Sequence, residues 1–480
     1  MKIIVQNLKY QISPKQWLTI DNWHLDTGQS VLFVGPVNSG KSTFAKLLSH
    51  QLEANTGSIA MDHPEKLARV SFELEAEILA EDRYHDDSDF VEGGLDQGRT
   101  AGEIIGSETT ADPIIELMNI SHLLDRPFKV LSTGEARKVL IAKALRTKPE
   151  LLILEEPFSG LDISSRQTMI GLFEKLIGMG LQILLFDYYQ EGLPDSIEHM
   201  VFISDGRIAL EGPKHEVVDS AEWKSKNQHQ IQLPHFLPDS YRYDHLDKTC
   251  PLVKIVDLNV KYHEKPVFNN LNWTFKRGEN WRITGPNGCG KSTLLGMISG
   301  DNPKAYGKDI TLFGVKRGSG ESIWDIKRHY GILSSSLHRD YKASVSVLEA
   351  VVSGFFDSIG LYDKPSDAQW KIAREWLELL GIKDKETRPF SELSFGEQRQ
   401  VLIVRAMVKL PLILLLDEPC IGLDNPSRTQ VLTLIDYISI NSQTHILFVT
   451  HDYRDELTCL NRSLDFEPTS DCHTATISKI

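Results

Sequence analysis

Short apolar runs punctuate this chain, and several of them stop abruptly on glycine or on acids. A strand-like run leads into Gly35, a glycine-rich loop and a helix; a helix-rich middle follows; then LLIL (151 to 154) ends in Glu155 and Glu156. The same order returns later, with a strand before Gly285 and LILLL (412 to 416) ending in Asp417 and Glu418. Continuous apolar runs of this length suit strands covered on both faces. Alternating with helices, they predict an α/β fold with a mostly parallel sheet.

The repetition extends to residue identity. VGPVNSGKST (34 to 43) recurs as TGPNGCGKST (284 to 293), LSTGE (131 to 135) as LSFGE (393 to 397), and LLILEEPFSGLD (151 to 162) as LLLDEPCIGLD (414 to 424). The offset is 250 at the first motif and 262 at the other two. Two copies of one domain are expected, at 1–215 and 252–480, joined by a linker at 216–251 that Pro234, Pro238 and Pro251 punctuate. A total of 480 residues leaves room for both.

Charge is uneven. The net charge of −14 lies entirely in the first 240 residues, where 36 Asp and Glu face 22 Lys and Arg, while the rest balances at 30 and 30. Nine of those acids fall between Glu73 and Glu92. Such a surface repels phosphate backbones and argues against nucleic acid as a partner. No apolar run approaches a membrane span, and MKIIVQNLKY has too short an apolar stretch for a signal peptide, so the cytoplasm is the expected location. The five cysteines form no CxxC pair and are expected to be reduced thiols.

Gly35 to Ser42 and Gly285 to Ser292 both fit GxxxxGKS, each after a strand and opening a helix. In such a loop backbone N–H groups wrap phosphates and the helix N-terminus adds positive charge. Gly35, Asn38, Gly40, Lys41, Ser42 and Thr43 are therefore candidate ATP contacts, as are Gly285, Asn287, Gly288, Gly290, Lys291, Ser292 and Thr293. Lys41 and Lys291 would reach the β- and γ-phosphates, while Ser42 with Glu155, and Ser292 with Asp417, would hold Mg²⁺. Glu418, and Glu156 in the first copy, stand where a residue would orient or deprotonate the attacking water. Glu155 is one methylene longer than Asp417, which shifts any Mg²⁺ position.

Phosphate loop, LSxGE and an acidic strand followed by GLD resemble the ATP-binding-cassette (ABC) ATPases. That resemblance implies that Ser132, Gly134 and Glu135, with Ser394, Gly396 and Glu397, are signature residues facing a nucleotide held by the other domain. It also makes Asp162 and Asp424 the D-loop acids. Tyr10 and Tyr262, 31 and 29 residues before their lysines, match the aromatic that stacks on adenine, with packing against the core as the other reading. Cys289 lies at a helix N-terminus, where a thiol pKa tends to fall; it is either a small residue that fits or a redox group.

Two departures qualify this. The family's switch His is matched by His451, 33 residues after Glu418, but the same count from Glu156 falls on Tyr189. The Q-loop Gln is replaced by Ser335 in the second copy and by Phe72 or Glu73 in the first. More narrowly, 311–341 and GFFDSIGLY (354 to 362), with GRTAGEII and RPFKVLSTGEARK in the first copy, resemble the ModF (PhrA) family of tandem ABC proteins. That resemblance implies a molybdate-linked ATPase with an inner-membrane permease as partner and a peripheral place on the cytoplasmic face. The rival reading is a soluble mechanoenzyme acting on ribosomes or nucleic acid.

ABC domains pair head to tail, so Lys291, Ser292, Asp417, Glu418 and His451 are expected to combine with Ser132 and Gly134. Lys41, Ser42, Glu155 and Glu156 combine with Ser394 and Gly396 and lack the His. A non-hydrolysable Mg-ATP analogue is expected to saturate the monomer at two per chain. Saturation at one, with intermolecular pairing excluded, counts against this arrangement.

Overall fold

A computed structural model describes the chain except residues 15, 37–38, 85–97, 107–111, 189–191, 228–236, 238–246, 248, 263–264, 335–336, 339–340, 342–343, 451, 453 and 469–472. It divides into two compact units, Met1–Gln228 and His229–Ile480.

In the first unit β1 (Ile3–Ser13) pairs antiparallel with β2 (Gln16–Leu25) and β4 (Thr56–Met61). The larger sheet runs β5-β6-β7-β3-β8-β9, built from β3 (Val31–Val34), β5 (Leu67–Val70), β6 (Leu151–Glu155), β7 (Gln182–Asp187), β8 (His199–Ser204) and β9 (Arg207–Pro213). All its neighbours are parallel except the β8–β9 hairpin at one edge. Every residue of β3, β6 and β7 is buried, as their unbroken apolar runs require. Parallel pairing also carries the C-terminal ends of β3, β6 and β7 to one edge, which sets the phosphate loop beside Glu155 and Asp187.

Helix α1 (Lys41–Leu48) covers one face. There Phe33 stacks on Phe186 at 4.5 Å and meets Phe44 of α1 edge-on at 5.6 Å, with Trp23 of β2 closing the cluster at 5.3 Å from Phe33. Aromatic pairs at these separations combine large buried area with favourable quadrupole geometry. The opposite face carries the helix Thr133–Leu145, the helix Ile163–Gly178 and the helix-rich middle of the unit.

The second unit repeats the plan. Strands β10 (Val253–Tyr262), β11 (Lys265–Phe275), β13 (Asp309–Leu312) and β14 (Val315–Lys316) form the antiparallel sheet. The larger sheet runs β15-β16-β17-β12-β18-β19, from β12 (Trp281–Thr284), β15 (Tyr330–Leu333), β16 (Ile413–Asp417), β17 (His445–Val449), β18 (Arg462–Pro468) and β19 (His473–Lys479).

The expected linker needs one correction. Residues 216–227 belong to the helices Lys214–Asp219 and Ala221–Asn227 of the first unit. Trp223 decides it: the side chain is buried, with its ring 4.9 Å from that of Phe202 on β8. A single tryptophan in a polar stretch carries no periodicity, so the sequence pattern missed these helices.

Candidate functional site

Both phosphate loops are curled around their own lysine. Lys41 Nζ donates to the carbonyls of Gly35 (2.6 Å) and Pro36 (2.9 Å), and Lys291 Nζ donates to those of Gly285 (2.7 Å) and Pro286 (2.9 Å). Gly40 and Gly290 take φ of 99° and 101° at the start of their helices. A side chain there is strained by that φ, and its Cβ would lie 2.9 Å from Leu18 Cδ1 or 2.5 Å from Val267 Cγ1. Ser42 and Thr43 fall in the first turn of α1; Ser292 and Thr293 fall in the first turn of the helix Lys291–Ser299. Gly288 has φ of 81° and Asn287 lies beside it in the loop, whereas Asn38 is outside the described residues.

At the acidic strand ends the copies share one geometry. Glu156 and Glu418 hold φ of 47° and 51°, a left-handed conformation that costs a residue bearing a Cβ. Each is fixed from both sides. The Glu156 N–H donates to Phe186 O and the Glu418 N–H to Val449 O, both at 2.8 Å. Arg137 donates to the Glu156 carbonyl at 2.7 Å, while Arg399 donates to the carbonyls of Glu418, Asp417 (2.9 Å) and Pro419 (3.2 Å). Both arginines are 2% exposed, and burial lowers their pKa. Sequence reasoning passed them over, although each stands five residues after its signature serine.

Those shared bonds also align the copies residue by residue. Phe186 matches Val449, so the position two residues after Val449, which is His451, corresponds to Tyr188. Counting from Glu156 reached Tyr189 because the first copy is one residue shorter between β6 and β7. Tyr189 and His451 lie outside the described residues. The Tyr188 ring centroid is 4.4 Å from Lys41 Nζ, and its hydroxyl bonds Glu156. Burial pushes the Glu156 carboxyl up to about 7, against the lowering effect of that bond and of Lys41.

Glu155 and Asp417 differ in company. The Glu155 carboxylate receives Arg69 Nε at 2.5 Å, and both side chains are buried. At the position matching Arg69 the second copy's register places Ile332, opposite Leu415. An acceptor-only carboxylate and a serine hydroxyl make a hard oxygen set, so Asp417 and Ser292 fit Mg²⁺. Ser42 and Glu155 do not fit, because a guanidinium already binds Glu155. No group of three or more His, Cys, Asp and Glu gathers as a metal site among the described residues.

The signature residues open helices. Ser132 and Ser394 are N-caps, and Glu135 and Glu397, expected among nucleotide contacts, close capping boxes by accepting from the Ser132 and Ser394 N–H groups at 2.8 and 2.9 Å. Burial raises both carboxyls, but these bonds, with Arg126 on Glu135 and Lys385 on Glu397, bring them below their ordinary value. Their visible task is to hold the helix start. Gly134 and Gly396 lie in those first turns. Asp162 and Asp424 cap the next helices, accepting from Ser165 N (2.7 Å) and Ser427 N (2.9 Å).

Three further positions were expected to matter. Tyr10 sits within β1, partly buried against the Trp23 cluster. Tyr262 ends β10 with Asn302 donating to its hydroxyl at 2.9 Å and Lys304 Nζ 4.4 Å from its ring centroid, an exposed aromatic at the strand end. Cys289 corrects the thiol expectation: it is fully buried and burial raises its pKa over the opposing pull of Lys291, which removes the electrostatic basis for a reactive thiolate. Ser335 lies outside the described residues. Phe72 and Glu73 begin the helix Phe72–Tyr84.

The profile of the family described as ABC transporter matches residues 18–159 and 268–421, spanning both phosphate loops and both acidic strands. The chain belongs to the ABC transporter ATP-binding family. Its likeness to ABC transporter ATP-binding protein ModF of Escherichia coli is 39% identity over 98% of each chain. An uncharacterised ABC transporter ATP-binding protein of Schizosaccharomyces pombe is 27% identical over 96% of this chain and 94% of its own. Among solved structures, an archaeal ribosome recycling factor in complex with a ribosomal stalk protein matches 98% of this chain and 89% of its own, at 20% identity and a TM-score of 0.62. That likeness concerns the tandem ABC fold alone. No helix among the described residues is long and apolar enough to cross a membrane.

His338 gives this ABC chain an acid-sensitive point. Its ring is buried and Nε2 meets Gln398 Oε1 of the signature helix at 3.1 Å; burial, with Arg399 nearby, lowers its pKa from 6.5 to about 4. Stability from a neutral, buried imidazole is present above the unfolded value and is lost as pH falls toward the folded one. Between pH 7.5 and 4.5 His338 accounts for about 2 to 3 kcal/mol of lost stability. Urea unfolding at both pH values should show that loss shrinking in His338→Gln; an unchanged loss contradicts the assignment.

Proposed function

We propose that this ABC protein is an asymmetric ATPase whose second phosphate-loop site hydrolyses ATP while the first chiefly holds it. The observation that carries the reading is the contrast at matching positions: Tyr188 on Glu156 and Arg69 on Glu155 in the first copy, against His451 in the sequence and Ile332 opposite Leu415 in the second. A phenol hydroxyl supplies no cationic hydrogen-bond donor at neutral pH, whereas an imidazole does so when protonated.

In the second site Lys291 and the loop N–H groups bind the phosphates, Ser292 and Asp417 would hold Mg²⁺, and Glu418 orients or deprotonates water. Mg²⁺ would supply charge neutralisation at the β- and γ-phosphates. His451 would face the γ-phosphate. The left-handed backbone at Glu418, held by Arg399, fixes where its carboxylate starts from.

Likeness to an ABC transporter ATP-binding protein supports a role as an ATP-binding component; the motif resemblance to the ModF family extends the proposal to import of molybdate or a related anion, with an inner-membrane permease as partner. The alternative, a cytoplasmic mechanoenzyme acting on ribosomes or nucleic acid, draws only on fold likeness to the recycling factor and runs against the −14 charge.

Steady-state phosphate release from single variants tests the asymmetry. General-base groups contribute about 10² to 10⁴-fold to rate, so Glu418→Gln should lose nearly all activity by that measure. Glu156→Gln should cost less than about threefold, because its site contributes little turnover. Equal losses, or a larger loss from Glu156→Gln, overturn the proposal.

A further inference from the structure

We infer that the first phosphate-loop site takes a nucleoside triphosphate without a divalent cation, with Arg69 quenching the acid that the family fold offers to the metal; the inference rests on the nucleotide-site reading above. Arg69 lies on β5 opposite Ile153 of β6, so it shares a face with Glu155 two residues further on. That face also carries α1, the helix the phosphate loop opens into.

The guanidinium is held at two points. Its Nε donates to Glu155 Oε1 at 2.5 Å, and Nη1 donates to Gln51 Oε1 just past the end of α1. The paired side chains are 8% and 7% exposed, so water screens them little. In the second copy the same register places Ile332 opposite Leu415, and Ile332 packs against apolar core. At this register position the cation belongs to the first copy, and the second has an aliphatic side chain.

Mg²⁺ demands oxygen ligands in near-octahedral geometry and gives up its waters reluctantly. Brought to Glu155, it would meet a fixed like charge at hydrogen-bond distance from its own ligand. Arg69 cannot step aside by losing a proton, since guanidinium stays charged in proteins. The charge of the phosphates is met by Lys41, the loop N–H groups and the helix N-terminus.

Binding of a non-hydrolysable ATP analogue, measured calorimetrically in Mg²⁺ and in EDTA, tests this in the full chain. In Lys291→Ala, which disables the second loop, the analogue's affinity should change less than about threefold on Mg²⁺ removal; in Lys41→Ala it should fall about tenfold or more. Arg69→Ile/Glu155→Asp in the Lys291→Ala background rebuilds the second site's Ile332 and Asp417 pair. It should acquire a Mg²⁺ dependence of about tenfold. Arg69→Lys, which keeps a cation beside Glu155, should remain insensitive and guards against an effect of misfolding. A first site that loses the analogue in EDTA, or a rebuilt pair that stays insensitive, overturns the inference. Absence of binding in both single-loop variants under both conditions has a different meaning and overturns the nucleotide-site reading itself.

Discussion

Each acidic turn hangs on a buried arginine. Arg137 and Arg399 project from the helices that the signature serines open and donate to the carbonyls of Glu156 and Glu418. Burying a guanidinium costs several kcal/mol unless donors find acceptors and countercharge is near; here carbonyls at the strand end accept from both arginines, and the carboxylates around them supply the countercharge. Strand pairing fixes the same glutamates through their N–H groups. Held at both ends, the backbone keeps a left-handed turn that it would otherwise leave. The signature helix and the turn at the strand-end glutamate of each unit are therefore one mechanical piece.

On that shared frame two substitutions set the acidic strand ends apart. Tyr188 and Arg69 bring to the first site a phenol and a guanidinium, where the second copy's sequence carries His451 and Ile332 at the corresponding positions. Lys41 keeps the same carbonyl bonds as Lys291. Binding and hydrolysis draw on different residues, so a site can keep the first while losing the second. The capping acids Asp162 and Asp424 and the capping boxes at Ser132 and Ser394 are likewise the same in both copies.

The phosphate loops, the duplicated α/β plan and the acidic strand ends were legible because each rests on local backbone demands that a short string expresses. Glu135 and Glu397 were legible as part of a motif, but the S-x-x-E spacing that marks a capping box was read as ligand contact. Tyr188 was missed by one residue because counting through a helix and its following loop accumulates any single deletion, whereas strand register does not. Arg69 left no signal: one arginine in a short strand reads as a solvated edge until its partner across the sheet is known. Trp223 shows the same limit for packing, since the helix it anchors is polar elsewhere. Cys289 shows it for electrostatics, where burial outweighs the helix terminus and Lys291.

The central claim is that one site turns over while the other retains its nucleotide. Letting the full chain hydrolyse Mg-ATP at steady state, desalting it rapidly and quantifying the nucleotides that stay bound tests this directly. Intact ATP and ADP should remain in equal amounts on the same chain, with the ATP lost in Lys41→Ala. Retention of ADP alone, at both sites, would contradict it.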